Sequence, residues 1–238
     1  MFNFRNLVWI LIGLMVLAGV LYIQASRKPH NYDPVRKLTL READQAAHQF
    51  VKDIGEDFAN NVKMVEPFEW SITRKKANTY LAAMDEIAFN LTNNKRGKLN
   101  EEMARMGLAD PAVAFSDGKV TLMIRTIEYN KILSAEISVK LLDNNELQLS
   151  LSATRIGRLP VPRSILTDKI RELAGTLGGP SPDAISDTLA RLLSAIDGEP
   201  INPPDLWRIG RVKVGIEAIT IADGVLKLKV RPIGPKPK

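Results

Sequence analysis

The sequence predicts an α+β protein, and three observations predict it. Leu7 to Ile23 is a long uncharged apolar run near the N-terminus. From Val113 to Thr154 apolar and polar residues alternate between tight-turn signals, the pattern of antiparallel strands with one buried and one wet face. On either side of that centre, over 40–60, 74–91 and 163–197, apolar residues recur at helical spacing. A one-sided sheet must bury its apolar face, so the helices of 163–197 and 40–60 read as its cover. The chain divides into an N-terminal helix and its flanks (1–28), a linker (29–38), a single α+β domain (39–232) and a loose Pro/Lys-rich tail (233–238).

The N-terminal run has about 17 residues, which as a helix cover roughly 25 Å, the short end of a bilayer span. Trp9 and Tyr22 lie near its two ends, where amphipathic rings prefer the interface. A cleaved signal peptide fits less well, because no clear A-x-A precedes a cut. A buried core helix fits poorly, because the segment has no polar face. The reading is therefore an uncleaved transmembrane signal anchor, with a membrane as partner. Arg27, Lys28, Arg36, Lys37 and Arg41 crowd its C-terminal side, which by the positive-inside rule alone would leave the domain in the cytoplasm. A signal anchor followed by a β-rich domain is the commoner bacterial arrangement. The expectation is thus a single-pass protein of the inner or cytoplasmic membrane with an extracytoplasmic domain.

Composition narrows the function classes. The chain has 238 residues, 45% hydrophobic and 25% charged, so the part beyond the anchor is globular. Net charge is +6, and Arg5, Arg27 and Lys28 supply half of it. The excess left on the domain is too slight to argue for nucleic acid and better suits anionic headgroups. The absence of cysteine excludes disulfides and thiolate chemistry, and His30 and His48 are too few for a histidine metal cluster. No cofactor is implied.

Each element has a local cause. Thr39-Leu40-Arg41-Glu42 reads as a capping box opening a helix to about Asn60. Val65 to Thr73 reads as extended, with Phe68, Trp70 and Ile72 alternating, and Thr73 can cap a helix from Arg74 to Leu91. A short helix is expected around Glu101 to Met106. Val113 to Phe115 starts the meander, and Asp117-Gly118 is a strong hairpin signal. Val120, Leu122 and Ile124 share one face. In the next two strands Leu133, Ala135, Ile137, Val139 and Leu141, then Leu147, Leu149, Leu151 and Ala153, are expected on one face. Two prolines in Arg155 to Pro162 end the ladder, and Gly157 signals a bulge or bend. Helices follow, with Ile185, Leu189, Leu192, Leu193 and Ile196 on one face of the second. Finally Val212, Val214, Ile216 and Ala218 alternate, Asp223-Gly224 turns, and Leu226, Leu228 and Val230 return.

No catalytic signature occurs: there is no G-x-S-x-G, P-loop, H-E-x-x-H or G-x-G-x-x-G. The protein reads as not an enzyme. Asp85-Glu86 and Glu101-Glu102 are adjacent acids that point in different directions on a helix, and they read as solvated surface. His48 reads as an ordinary partly buried histidine and Arg74-Lys75-Lys76 as a solvated helix start. A groove between sheet and helix would be lined by Leu133, Ile137, Val139, Leu149 and Leu151 from the strands and by Ile185, Leu189, Leu192 and Leu193 from the helix. The same residues are simply core if the cover is tight.

Two segments resemble a known family. Trp70-Ser71-Ile72-Thr73-Arg74-Lys75-Lys76-Ala77-Asn78-Thr79-Tyr80-Leu81 is similar to a hydrophobic-Thr-x-x-x-x-Asn-x-Tyr-Leu pattern, and Ile156 to Pro162 to I-G-x-L-P-hydrophobic-P. With the N-terminal anchor and the Asp-Gly hairpins, they resemble YpmS-like bacterial proteins, related to the tubular lipid-binding (TULIP-like) superfamily. The resemblance implies a curved antiparallel sheet wrapped around long helices over roughly Leu40 to Pro232. It also implies an extracytoplasmic, membrane-tethered domain that holds an apolar ligand, and with no catalytic signature the expectation is a non-catalytic cell-envelope domain that binds lipid or another apolar ligand. The competing expectation is a structural or assembly component that docks envelope proteins, with a filled core and no ligand.

Overall fold

The computed structural model describes residues 4–35, 37–64, 66–92, 96–143, 146–162, 164, 200–201, 208–209 and 212–233, with side chains described outside 4–13, 92, 98, 200–201, 208–209 and 212. Apart from Ser164, the helices predicted within 163–197 lie outside the described residues, as does the tail beyond Ile233.

Helix α1 spans Phe4–Ser26. Helix α2, Leu40–Phe50, opens on the predicted capping box: the Glu42 amide donates to Thr39 Oγ1, and the Thr39 amide donates to the Glu42 carboxylate at 2.8 Å. The helical course continues through a π-helical turn, Val51–Asp57, into α3, Phe58–Lys63. Strand β1, Phe68–Thr73, leads into α4, Arg74–Ala82, where Thr73 Oγ1 accepts from the Lys76 amide at 3.2 Å. The helix predicted over 74–91 is broken. Ala83 leaves the helical region (φ −98°, ψ 5°) and is buried against Ala46, Ala47 and Tyr80, and α5, Met84–Thr92, starts on a new course. Helix α6 is Lys98–Arg105.

The strands form two antiparallel sheets. The six-stranded sheet runs β2 (Leu108–Ser116), β3 (Lys119–Thr126), β4 (Ile132–Leu141), β5 (Leu147–Ile156) and β6 (Leu159–Pro160), with β7 (Pro200–Ile201) also pairing β5. The four-stranded sheet has the order β1, β10 (Val225–Ile233), β9 (Val212–Ala222) and β8 (Arg208–Ile209). Both Asp-Gly hairpins form as predicted, with positive φ at Asp117, Gly118, Asp223 and Gly224. The two turns clasp: the Gly118 amide donates to the Ile221 carbonyl at 2.9 Å and the Gly224 amide to the Phe115 carbonyl at 3.0 Å.

The fold corrects the expected transmembrane helix followed by a curved sheet around long helices. The strands are divided between two sheets and neither curls. The reason lies in pairing: β1 pairs β10 from Phe68↔Val230 to Thr73↔Val225, so the C-terminal hairpin builds its own sheet instead of extending the meander. Among the described residues, no helix is long and apolar enough to cross a membrane.

Bulges in β5 and β9 also correct the straight alternation. Ile137 pairs Leu151 while Glu136 pairs Ala153, leaving Ser152 as the extra residue. Thr154 and Ile156 therefore join Leu149 and Leu151 on one face, and Ala153 turns to the other. In β9, Ile216 pairs Val230 and Ala218 pairs Lys229, so Glu217 is extra; Ile219 and Ile221 take the core side and Ala218 is exposed.

The core is shared. Phe58 and Val62 of α3 pack on Val214, Leu228 and Val230 of the four-stranded sheet, with Phe68 and Trp70 edge-on to Phe58. Phe115, Val120 and Val139 of the six-stranded sheet meet Ile219, Ile221 and Leu226 of the other, with Ala77 and Leu81 of α4 alongside. The linker lies across the outer face of the six-stranded sheet: Tyr32 packs on Ala112, Ala114, Met123 and Ile132, and its hydroxyl donates to the Asp110 carbonyl at 2.9 Å. Burial, then the Asp110 charge, pushes the Tyr32 phenol up to about 12.

Candidate functional site

The strand residues singled out from sequence fall on one face of the six-stranded sheet. Ile137 pairs Leu151, Val139 pairs Leu149, and Leu133 pairs Ile156. Ile137 and Leu151 are buried in one cluster with Ala135, and Leu149 packs on it half-buried. Val139 belongs to the junction between the sheets. Leu133 is half-buried at the other end, and Leu122, on the neighbouring strand opposite Ala135 and on the same face, is 46% exposed. That face is thus buried where it meets the second sheet, and Leu122 is its exposed apolar side chain. Ile185, Leu189, Leu192 and Leu193 lie outside the described residues.

The second feature is α1 and the way it is held. Leu14, Met15, Val16, Leu17, Val20, Leu21, Tyr22 and Ile23 are all exposed, and together they cover every side of the helix. Its last turn is nevertheless locked to the domain. The Arg158 amide donates to the Gln24 carbonyl at 3.0 Å and Arg158 Nε to the Lys28 carbonyl at 3.3 Å. The Lys131 ammonium bonds Ser26 Oγ and stands 4.3 Å above the Tyr22 ring. Gly157 makes this possible: its φ is +60°, and a Cβ there would fall on the Ala25 carbonyl and 2.8 Å from that of Arg27. Cations at a helix C-terminus also complement its dipole.

Both family-like motifs consist of residues with structural work. Thr73 caps α4, and Leu81 packs in the core between the sheets. Asn78, 2% exposed, receives the Val113 amide at 2.6 Å and donates to the carbonyls of Val113 (3.1 Å) and Asp33 (3.2 Å), tying α4, β2 and the linker at one point. The Tyr80 hydroxyl donates to Asp53, which also receives Lys76 and Gln49 Nε2. Burial works against the Asp53 carboxylate, but these three hydrogen bonds and the Lys76 charge outweigh it and hold the carboxyl below its usual range. Burial, then the bond to Asp53, raises the Tyr80 phenol. Residue-by-residue reading missed Asn78 and Asp53 as anchors; the only signal was Asn78 in the motif, because a clamp across 35 and 45 residues has no local pattern.

The polar candidates resolve individually. Glu86, expected in solvent, is buried and paired with Arg96, and Asp85 accepts the Leu99 and Asn100 amides at the start of α6. His48, expected partly buried, is exposed, with Nδ1 2.9 Å from the Asp44 carbonyl. Lys76, expected in solvent, is spoken for by Asp53. Among the described residues no three His, Asp or Glu side chains are grouped to hold a metal ion.

Fold and site together define an α+β domain of two packed antiparallel sheets that carries an exposed apolar helix on a rigid mount. No protein-family model, curated protein or solved structure matches the chain.

Proposed function

We propose that this chain is a non-catalytic domain that works at a membrane surface of the cell envelope, with α1 immersed among lipid tails and an apolar ligand, such as an acyl chain, seated on the apolar face of the six-stranded sheet. One observation carries the reading: from Leu14 to Ile23 α1 is apolar on every exposed side, yet its last turn is bonded to the domain. A helix that docks in a protein groove needs one apolar stripe, whereas lipid has no direction and wets the whole circumference. Immersing such side chains is favourable by roughly 25 cal/mol per Å². The exposure of Leu122 on that apolar face supports a ligand on the sheet, since part of an acyl chain contributes about 0.8 kcal/mol per buried methylene.

The test has two arms. Full-length chain is expected to float with neutral phosphatidylcholine vesicles, and Leu17→Asp with Leu21→Asp is expected to abolish flotation without changing the melting curve; flotation unchanged in that variant would remove α1 from the mechanism. Native mass spectrometry is expected to show lipid adducts that a folded Leu122→Trp variant loses. A second reading has its own support: Ile137 and Leu151 are buried and Val139 packs on the other sheet, as in a filled core. A clean apo mass after incubation with envelope lipids would favour that docking-protein reading.

A further inference from the structure

The geometry points to a binding site for the phosphodiester group of a lipid headgroup in the cavity beside the last turn of α1; this rests on the membrane-surface reading above. The cavity is about 420 Å³ and lies on the outer face of the six-stranded sheet, under the linker. Lys119, Arg155 and Arg158 line it together with Asp117 and Glu136, and His30 and Gly157 form part of its wall. Three cations against two carboxylates leave one positive charge, which matches the single negative charge of a phosphodiester.

The cations are held in place. Glu136, 15% exposed, receives both Lys119, at 3.4 Å, and Arg155. It thereby aligns two cations along the cavity floor while cancelling one charge. Arg158 is the cation left over. Its Nε is spent on the Lys28 carbonyl, and among the described residues its two terminal nitrogens have no partner. A planar guanidinium with two free N–H edges suits phosphate oxygens. Position argues for a lipid rather than a free ion. Gly157 touches the Ala25 and Arg27 carbonyls, so the cavity sits level with the end of α1, with Arg27 and Lys28 on the same segment. A lipid whose tails run along α1 would carry its headgroup to this height.

The experiment uses full-length chain and vesicles at one ionic strength. Binding to vesicles of phosphatidylcholine with a third phosphatidylglycerol is expected to be at least tenfold tighter than to phosphatidylcholine alone, since each cation near an anionic surface contributes about fivefold. Arg158→Gln is expected to reduce that ratio by about fivefold, and Lys119→Gln by less, because Glu136 already shares its charge. Both side chains are at least partly exposed, so the variants should melt with the wild type. Binding to phosphatidylcholine should be unchanged in Lys119→Gln; Arg158→Gln also loses its bond to the Lys28 carbonyl, so it is read by the ratio of the two affinities, from which any change in how α1 is held cancels. Equal affinity for the two vesicles, or a ratio untouched by Arg158→Gln, overturns the site while leaving the role of α1 standing. Loss of flotation on phosphatidylcholine by the wild type overturns the underlying reading instead. Inorganic phosphate at millimolar concentration should fail to compete; competition at that level would overturn the lipid as source.

Discussion

The two sheets are written in the same sequence pattern and buried differently. In the four-stranded sheet Val214, Ile216, Leu228 and Val230 are all buried, and α3 supplies Phe58 and Val62 as a lid. In the six-stranded sheet the matching face carries buried Ile137 and Leu151 but also Leu122, nearly half exposed. Period-two alternation tells which side chains share a face, and it tells nothing about what lies over that face. The four-stranded sheet is a stability element. The six-stranded sheet has a buried end, an exposed Leu122 and, through Gly157 and Arg158, the mount for α1, so it is where ligand and lipid readings converge.

The comparison can be broken most directly by truncation. Ile216→Ala should cost about 2–5 kcal/mol, because a fully buried side chain leaves a cavity, while Leu122→Ala should cost less than about 1 kcal/mol, because solvent already reaches it. Urea unfolding of the two variants measures both, and similar losses would mean that the two faces are equally covered.

Asn78→Ala comes next. It leaves the buried Val113 amide without its acceptor and frees the linker at Asp33, for an expected loss of about 2–3 kcal/mol. Hydrogen exchange should show the effect on β2 before β9; uniform loss across both sheets would show that Asn78 supports the whole core.

Gly157→Ala should cost about 1–2 kcal/mol from its left-handed backbone, and the new Cβ should push away the Ala25 carbonyl. Limited proteolysis should then cut between α1 and α2 more readily, with the melting of the four-stranded sheet nearly unchanged. Protection equal to wild type would mean that α1 is held by other contacts.

The smallest expected effect concerns Asp53, between α2 and α4. Its carboxyl lies below its ordinary value when folded, so its contribution is fully present above the usual carboxylate range, about pH 4, and fades as pH falls through the folded value. Asp53→Asn should lose about 1 kcal/mol at pH 7, and the gap to the wild type should close as pH falls below the folded value. A constant gap across that window would assign the effect to packing.

Local chemistry was legible in the sequence by itself. Thr39 with Glu42, Thr73 with Lys76, and the two Asp-Gly turns sit where propensity and capping put them, because each depends on atoms within four residues. The faces of Ile137, Val139, Leu149 and Leu151 were legible for the same reason. Tertiary structure decided the rest. The bulges at Ser152 and Glu217 turned Ala153 and Ala218 outward, because register depends on the partner strand. Close packing of α2 on Ala83 broke a helix that its own periodicity would have continued. The pairing of β1 with β10, about 150 residues apart, made two sheets in place of one curled sheet. Long-range pairing is selected by burial summed over the whole chain, and no window of the sequence contains that sum.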